Sequence, residues 1–139
     1  MNRIVTRIQK VIDIQVKDVK INNKPLRIDG LLLKENQNII IVEKEEVKEI
    51  YIPGRDMPYH QKIRNLPIEF SIEFYTDENS DCLCKELDEW VDLFKNSILS
   101  FNDLNDYHFK VFSTSYNYKC KKNNCHSIKF NFLAYSKIN

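Results

Sequence analysis

Four cysteines and three histidines are the first groups to test for chemistry. Cys120, Cys125 and His126, joined by Cys82 or Cys84, would supply the thiolate and imidazole ligands of a tetrahedral zinc site. The spacing opposes it. A zinc knuckle places two residues between its paired ligands, whereas Lys121 to Asn124 separate Cys120 from Cys125. Cys82 and Cys84, two apart on a helix, point about 200° apart around its axis. The expectation is therefore no metal and no cofactor, with Cys84 on an apolar flank and the other cysteines as reduced thiols. A Cys120–Cys125 disulfide across a hairpin tip is the oxidised alternative.

Glu69 and Glu73 lie on one face of a strand, at a separation that a paired-carboxylate hydrolase could use. Charged residues on the wet face of a half-buried strand need no such cause. His60, His108 and His126 fall on a loop and two strands, with no Gly-flanked serine turn and no histidine pair at helical spacing. Tyr116, Tyr118 and Tyr135 could stack bases while Lys119, Lys121 and Lys122 meet phosphates. Against this, 21 basic and 20 acidic residues leave a formal charge of +1, so no overall field draws in nucleic acid or an acidic membrane. The expectation is a protein without catalytic activity. The alternatives are a small nucleic-acid-binding β-barrel and a carboxylate-dependent hydrolase.

The elements that position these groups are mostly strands. Ile12, Ile14 and Val16 alternate, and the chain turns at Asn22-Asn23-Lys24-Pro25. Leu26 to Leu33 reads as a strand interrupted at Asp29-Gly30. Ile39 to Val42 and Val47 to Ile52 read as two β-branched strands split by Glu43-Lys44-Glu45-Glu46, a solvated charge run. Ile68, Phe70, Ile72 and Phe74 alternate with polar residues at the period of a half-buried strand. Leu83, Leu87, Trp90, Val91 and Phe94 then form one apolar stripe, predicting a helix over about residues 79–95 that stops at Asn96. Ile98 to Phe101 is a short strand. Tyr107, Phe109 and Val111 alternate until the aromatic phase slips at Phe112, which predicts a β-bulge. His126 to Ala134 alternates again and closes a C-terminal β-hairpin.

With 139 residues, 42% hydrophobic, the chain suits one domain over residues 1–139, able to bury about two-thirds of its unfolded surface. Only 2 glycines and 4 prolines leave little linker. No stretch has the form of a signal peptide or a membrane span, so synthesis in a cytoplasm is expected. Strands without regular helix alternation predict an antiparallel β-sandwich or partly open barrel with one flanking helix.

The run Tyr51-Ile52-Pro53-Gly54-Arg55-Asp56 is a strand-breaking loop in which Gly54 permits a positive φ and Arg55-Asp56 is expected to clamp the turn as a local ion pair. In its context it resembles the N-terminal ring domain of siphophage distal tail proteins. The upstream turn Asn22-Asn23-Lys24-Pro25-Leu26, the helical Leu87-Asp88-Glu89-Trp90-Val91, the turn Leu99-Ser100-Phe101-Asn102-Asp103 with Tyr107, and the closing strand Ser127 to Ala134 follow the family's order. The likeness spans residues 17–137. Met57 stands where a second glycine is usual, and Asn102 where an acid is usual.

The resemblance implies a structural virion protein at the distal end of a phage tail, made in the host bacterium. It implies a homo-oligomeric ring, a hexamer, joining the tail tube to the tail hub, tip or tail-associated lysin, with the tape-measure and receptor-binding proteins as further neighbours. Pro53, Gly54, Arg55 and Asp56 become a candidate inter-subunit contact. No carbohydrate-module-like second domain is expected, nor any membrane or specific nucleic-acid partner.

Overall fold

The computed structural model describes residues 2–26, 31–76, 84–102, 108–119 and 126–137. The strands are β1 (Arg3–Val16), β2 (Val19–Ile21), β3 (Lys24–Pro25), β4 (Leu32–Leu33), β5 (Gln37–Ile50), β6 (Tyr59–Asn65), β7 (Ile68–Thr76), β8 (Ile98–Phe101), β9 (His108–Lys119) and β10 (His126–Lys137). The single described helix, α1, covers Cys84–Phe94. The strands form two antiparallel sheets, a small one ordered β1-β5-β6 and a large one ordered β3-β2-β8-β9-β10-β7-β4. Neither closes into a barrel, so the sandwich is the architecture adopted.

Strand alternation decides what each sheet buries. Ile68, Phe70, Ile72 and Phe74 of β7 face inward, as do Ile128, Phe130 and Phe132 of β10, which runs antiparallel beside it. Helix α1 lays Leu87, Trp90 and Phe94 on that face, and the Phe94 ring sits 5.1 Å from both Phe130 and Phe132. Ile14, Val16, Ile39 and Ile41 of the small sheet complete the same core. The Gln37 side chain joins the sheets, donating to the Glu73 carbonyl and accepting from the Glu73 N–H, both at 2.9 Å.

The helix ends where expected. Asn96 takes a left-handed φ of 62°, and the Ser97 N–H and hydroxyl both donate to the orphan carbonyl of Phe94. Asn96 N–H donates to Val111 and Val111 N–H to Ser97, which ties the helix end to β9. The predicted helix start before Cys84 lies outside the described residues. The bulge is present: Ser113 pairs with Leu133 and Val111 with Ala134, leaving Phe112 over.

Two expectations from the sequence are corrected. The charge run Glu43 to Glu46 does not split two strands, because β5 runs unbroken from Gln37 to Ile50. Each of those charges finds a cross-strand neighbour on β1 or β6, so the pairing outweighs the low strand propensity of Glu and Lys. Leu26 to Leu33 is not one interrupted strand: β3 pairs with β2, and β4 pairs with β7 on the opposite edge of the large sheet.

Candidate assembly surface

Beyond Ile41 the small sheet leaves the shared core and continues as a three-stranded arm. Val47 is fully buried but stands outside the core cluster, and β1 from Arg3 to Val11 is exposed except at Val5. From Glu43 to Ile50 the arm extends about 25 Å at strand rise.

Its two faces differ. On the face continuing the core side, Glu45 and Glu49 are buried beneath cations from the flanking strands. Arg7 donates to Glu45 Oε1 from Nε at 2.8 Å and Nη2 at 2.5 Å, Gln9 donates to Oε2 at 2.5 Å, and Lys62 lies 3.6 Å away. Arg3 and the Tyr51 hydroxyl donate to Glu49 Oε2 at 2.6 and 2.9 Å, with His60 3.5 Å from Oε1. The hydrogen bond from Arg7 holds the Glu45 carboxyl below the ordinary carboxylate range, against the upward push of its burial. The hydrogen bond from Arg3 does the same for Glu49, with the Tyr51 hydroxyl adding to it. This polar layer substitutes for a core: the acids are covered by the long stems of Arg3, Arg7 and Lys62.

The outer face mixes charges with exposed aliphatics, and Arg64 pairs with Glu46 on it at 3.1 Å. Ile39 and Ile41 point into the core, so Ile40, Val42, Lys44, Glu46 and Lys48 point out, as do their cross-strand partners Val11, Ile8 and Ile4. Ile4, Ile8, Val11 and Ile40 are 62%, 59%, 60% and 59% exposed, a row of aliphatics that the chain's own fold leaves in water.

The tip loop Pro53 to Asp56 joins β5 to β6. Gly54 has φ +87°, as its residue type allows, and the turn is held by Arg55 N–H donating to the Ile52 carbonyl at 3.1 Å. The expected Arg55–Asp56 ion pair is not formed among the described residues. Both side chains are exposed, and water competes well for two freely moving charges. Met57 beside them is 72% exposed.

The remaining candidates are dispersed. Cys120, Cys125, Lys121 and Lys122 lie outside the described residues, as do the side chains of Tyr118, Lys119 and His126. Among the described residues, no group of His, Cys, Asp and Glu is arranged to hold a metal ion. Tyr116 pairs opposite core Phe130 while Tyr135 follows buried Ala134 onto the other face of the sheet, so the two tyrosines do not share a stacking surface. Glu69 is exposed, whereas Glu73 is bound by Lys34 at 2.8 Å and by Gln37 through its backbone. The two share the outer face of the large sheet, as the alternation predicted.

Reasoning from sequence missed the outer face of the arm. Val11 falls out of period-2 phase with Ile4 and Ile8 because a bulge between Ile8 and Lys10 shifts the register, and polar Thr6 interrupts the pair before it. No protein-family model, curated protein or solved structure matches the chain.

Proposed function

We propose that this chain is a structural subunit of a phage tail, closing with copies of itself into a hexameric ring at the tail's distal end. The ring joins the tail tube to the hub or tip and its receptor-binding apparatus. The observation that carries the reading is the arm: a projecting sheet whose outer face carries exposed isoleucines and a valine among its charges, with the Pro53–Asp56 loop at its end. Exposed apolar surface of this kind costs about 25 cal/mol for each Å2 left in water, and burial against a partner recovers it. The sandwich with one flanking helix is also the architecture that the sequence resemblance leads one to expect. Negative-stain microscopy of the purified chain tests the reading. Closed rings with a central opening are the expected result, and single particles of monomer size at all concentrations would refute it.

A further inference from the structure

We propose that the free edge of β1, from Arg3 to Ile8, receives an extended segment of a different protein in which Asp or Glu alternates with aliphatic residues. This goes beyond the ring reading, because it concerns the edge of a strand and not the outer face of the arm.

In the small sheet β1 is an outermost strand, bonded to β5 alone. Every second residue of such a strand turns its N–H and C=O away from the sheet. Among the described residues, nothing meets those outward backbone groups between Arg3 and Ile8. The register shift between Ile8 and Lys10 ends the regular stretch, so the open edge suits a short strand.

The side chains on the two faces of that edge set the chemistry of the incoming strand. On one face, the Arg3 and Arg7 side chains are 65% and 51% exposed, although the carboxylates they hold, Glu49 and Glu45, are 12% and 3% exposed. Arg3 bonds Glu49 through Nε, and Arg7 bonds Glu45 through Nε and Nη2, which leaves N–H groups of both forks for a second carboxylate. The sheet already uses this pattern, because buried Glu45 sits between Arg7 of β1 and Lys62 of β6. On the other face, exposed Ile4 and Ile8 offer cross-strand contacts to aliphatic side chains. A strand alternating acid with aliphatic meets both faces at once.

A second copy is the wrong occupant. The free edges of the same sheet in another copy are β1 again and β6, whose His60 and Lys62 share a face with Arg3 and Arg7. Over residues 2–11 and 43–65, eight Lys and Arg stand against five Asp and Glu, so the arm carries +3 in a chain whose total is +1. Those cations keep copies from zipping edge to edge and favour an acidic strand.

The test uses short labelled peptides, capped at both ends, with the full chain: fluorescence anisotropy gives the affinity and hydrogen-exchange mass spectrometry the footprint. A peptide alternating Glu with Val is expected to bind with Kd below about 1 mM and to slow exchange in residues 3–8 but not in β6. Replacing each Glu of the peptide by Gln is expected to weaken binding at least about tenfold, through lost charge-assisted hydrogen bonds, and replacing each by Lys to abolish it. N-methylation of every second peptide residue blocks one edge of the peptide, so of the two alternately methylated forms one is expected to fail and the other to bind. No binding of the Glu peptide in the millimolar range, protection outside residues 3–8, equal binding of the Gln peptide, or equal binding of both methylated forms would overturn the proposal. The ring reading is decided separately, by the number of copies that assemble, and stands or falls without it.

Discussion

Asp18 and Asn102 clamp each other across the corner where β1 turns into β2. The Asn102 N–H donates to Asp18 Oδ1 at 2.9 Å, and Asn102 Oδ1 accepts from the N–H groups of Lys17 at 2.7 Å and Asp18 at 3.0 Å. The Asn102 side-chain amide also donates to the Gln15 carbonyl. An ionised aspartate has no donor for that last bond, so at this corner the asparagine amide makes a contact that the acid could not. Its φ of 52° is tolerated by asparagine better than by most residues.

Replacing Asn102 tests the clamp. Asn102→Ala is expected to cost about 2–3 kcal/mol in urea unfolding, from three lost side-chain hydrogen bonds and a strained backbone. Asn102→Asp is expected to be destabilised at pH 7, where two carboxylates meet at the corner. The gap from wild type narrows near pH 4, because a protonated Asp carboxyl regains a donor for Gln15.

The arm is expected to loosen in acid before the sandwich does. Glu45 and Glu49 have carboxyls held below the ordinary value of 4.5 by hydrogen bonds from Arg7 and Arg3. Depressed folded-state pKa values contribute stability that is fully present above 4.5 and is lost as pH falls through the folded values. Hydrogen exchange of amides in 43–50 is expected to accelerate below about pH 4.5 relative to those in Phe70 to Phe74, and Arg7→Ala to accelerate the same amides at neutral pH. Uniform exchange across both sheets would contradict it.

At the tip loop, folding and assembly are expected to separate. Arg55→Ala removes an exposed side chain with no ion pair among the described residues, so unfolding should change by less than about 0.5 kcal/mol. Gly54→Val meets no neighbouring atom but must adopt φ +87°, at a cost of about 1–2 kcal/mol. Ring formation by both variants at wild-type concentration would show that the loop serves the fold alone.

Phe94 is the most deeply buried of the three side chains that anchor the helix. Phe94→Ala, which removes contacts to Phe74, Phe130 and Phe132, is expected to cost about 3–5 kcal/mol in urea unfolding. Leu93→Ala, on the exposed side of the same turn, is expected to change stability by less than about 0.5 kcal/mol.

Where burial followed one clean period, the sequence was legible. Ile68 to Thr76 alternates against a core on one side only, and Leu87, Trp90 and Phe94 recur at helical spacing, so both elements and the slip at Phe112 could be read in advance. The arm could not. Its buried members besides Val47 are Glu45 and Glu49, which local pattern reads as solvated, and their cations come from Arg3, Arg7 and Lys62, 17 to 46 residues away on β1 and β6. Pairing of that kind is tertiary and leaves no local periodicity. For the candidate site, the Gly54 turn was legible from residue type, while the exposed aliphatic row was hidden by the bulge after Ile8.

Native mass spectrometry of the purified full chain over a concentration series measures self-assembly most directly. One closed stoichiometry, six copies, rising at the expense of monomer without a ladder of open intermediates is the predicted result. Monomer alone at every concentration, or an unbounded series of oligomers, would contradict it.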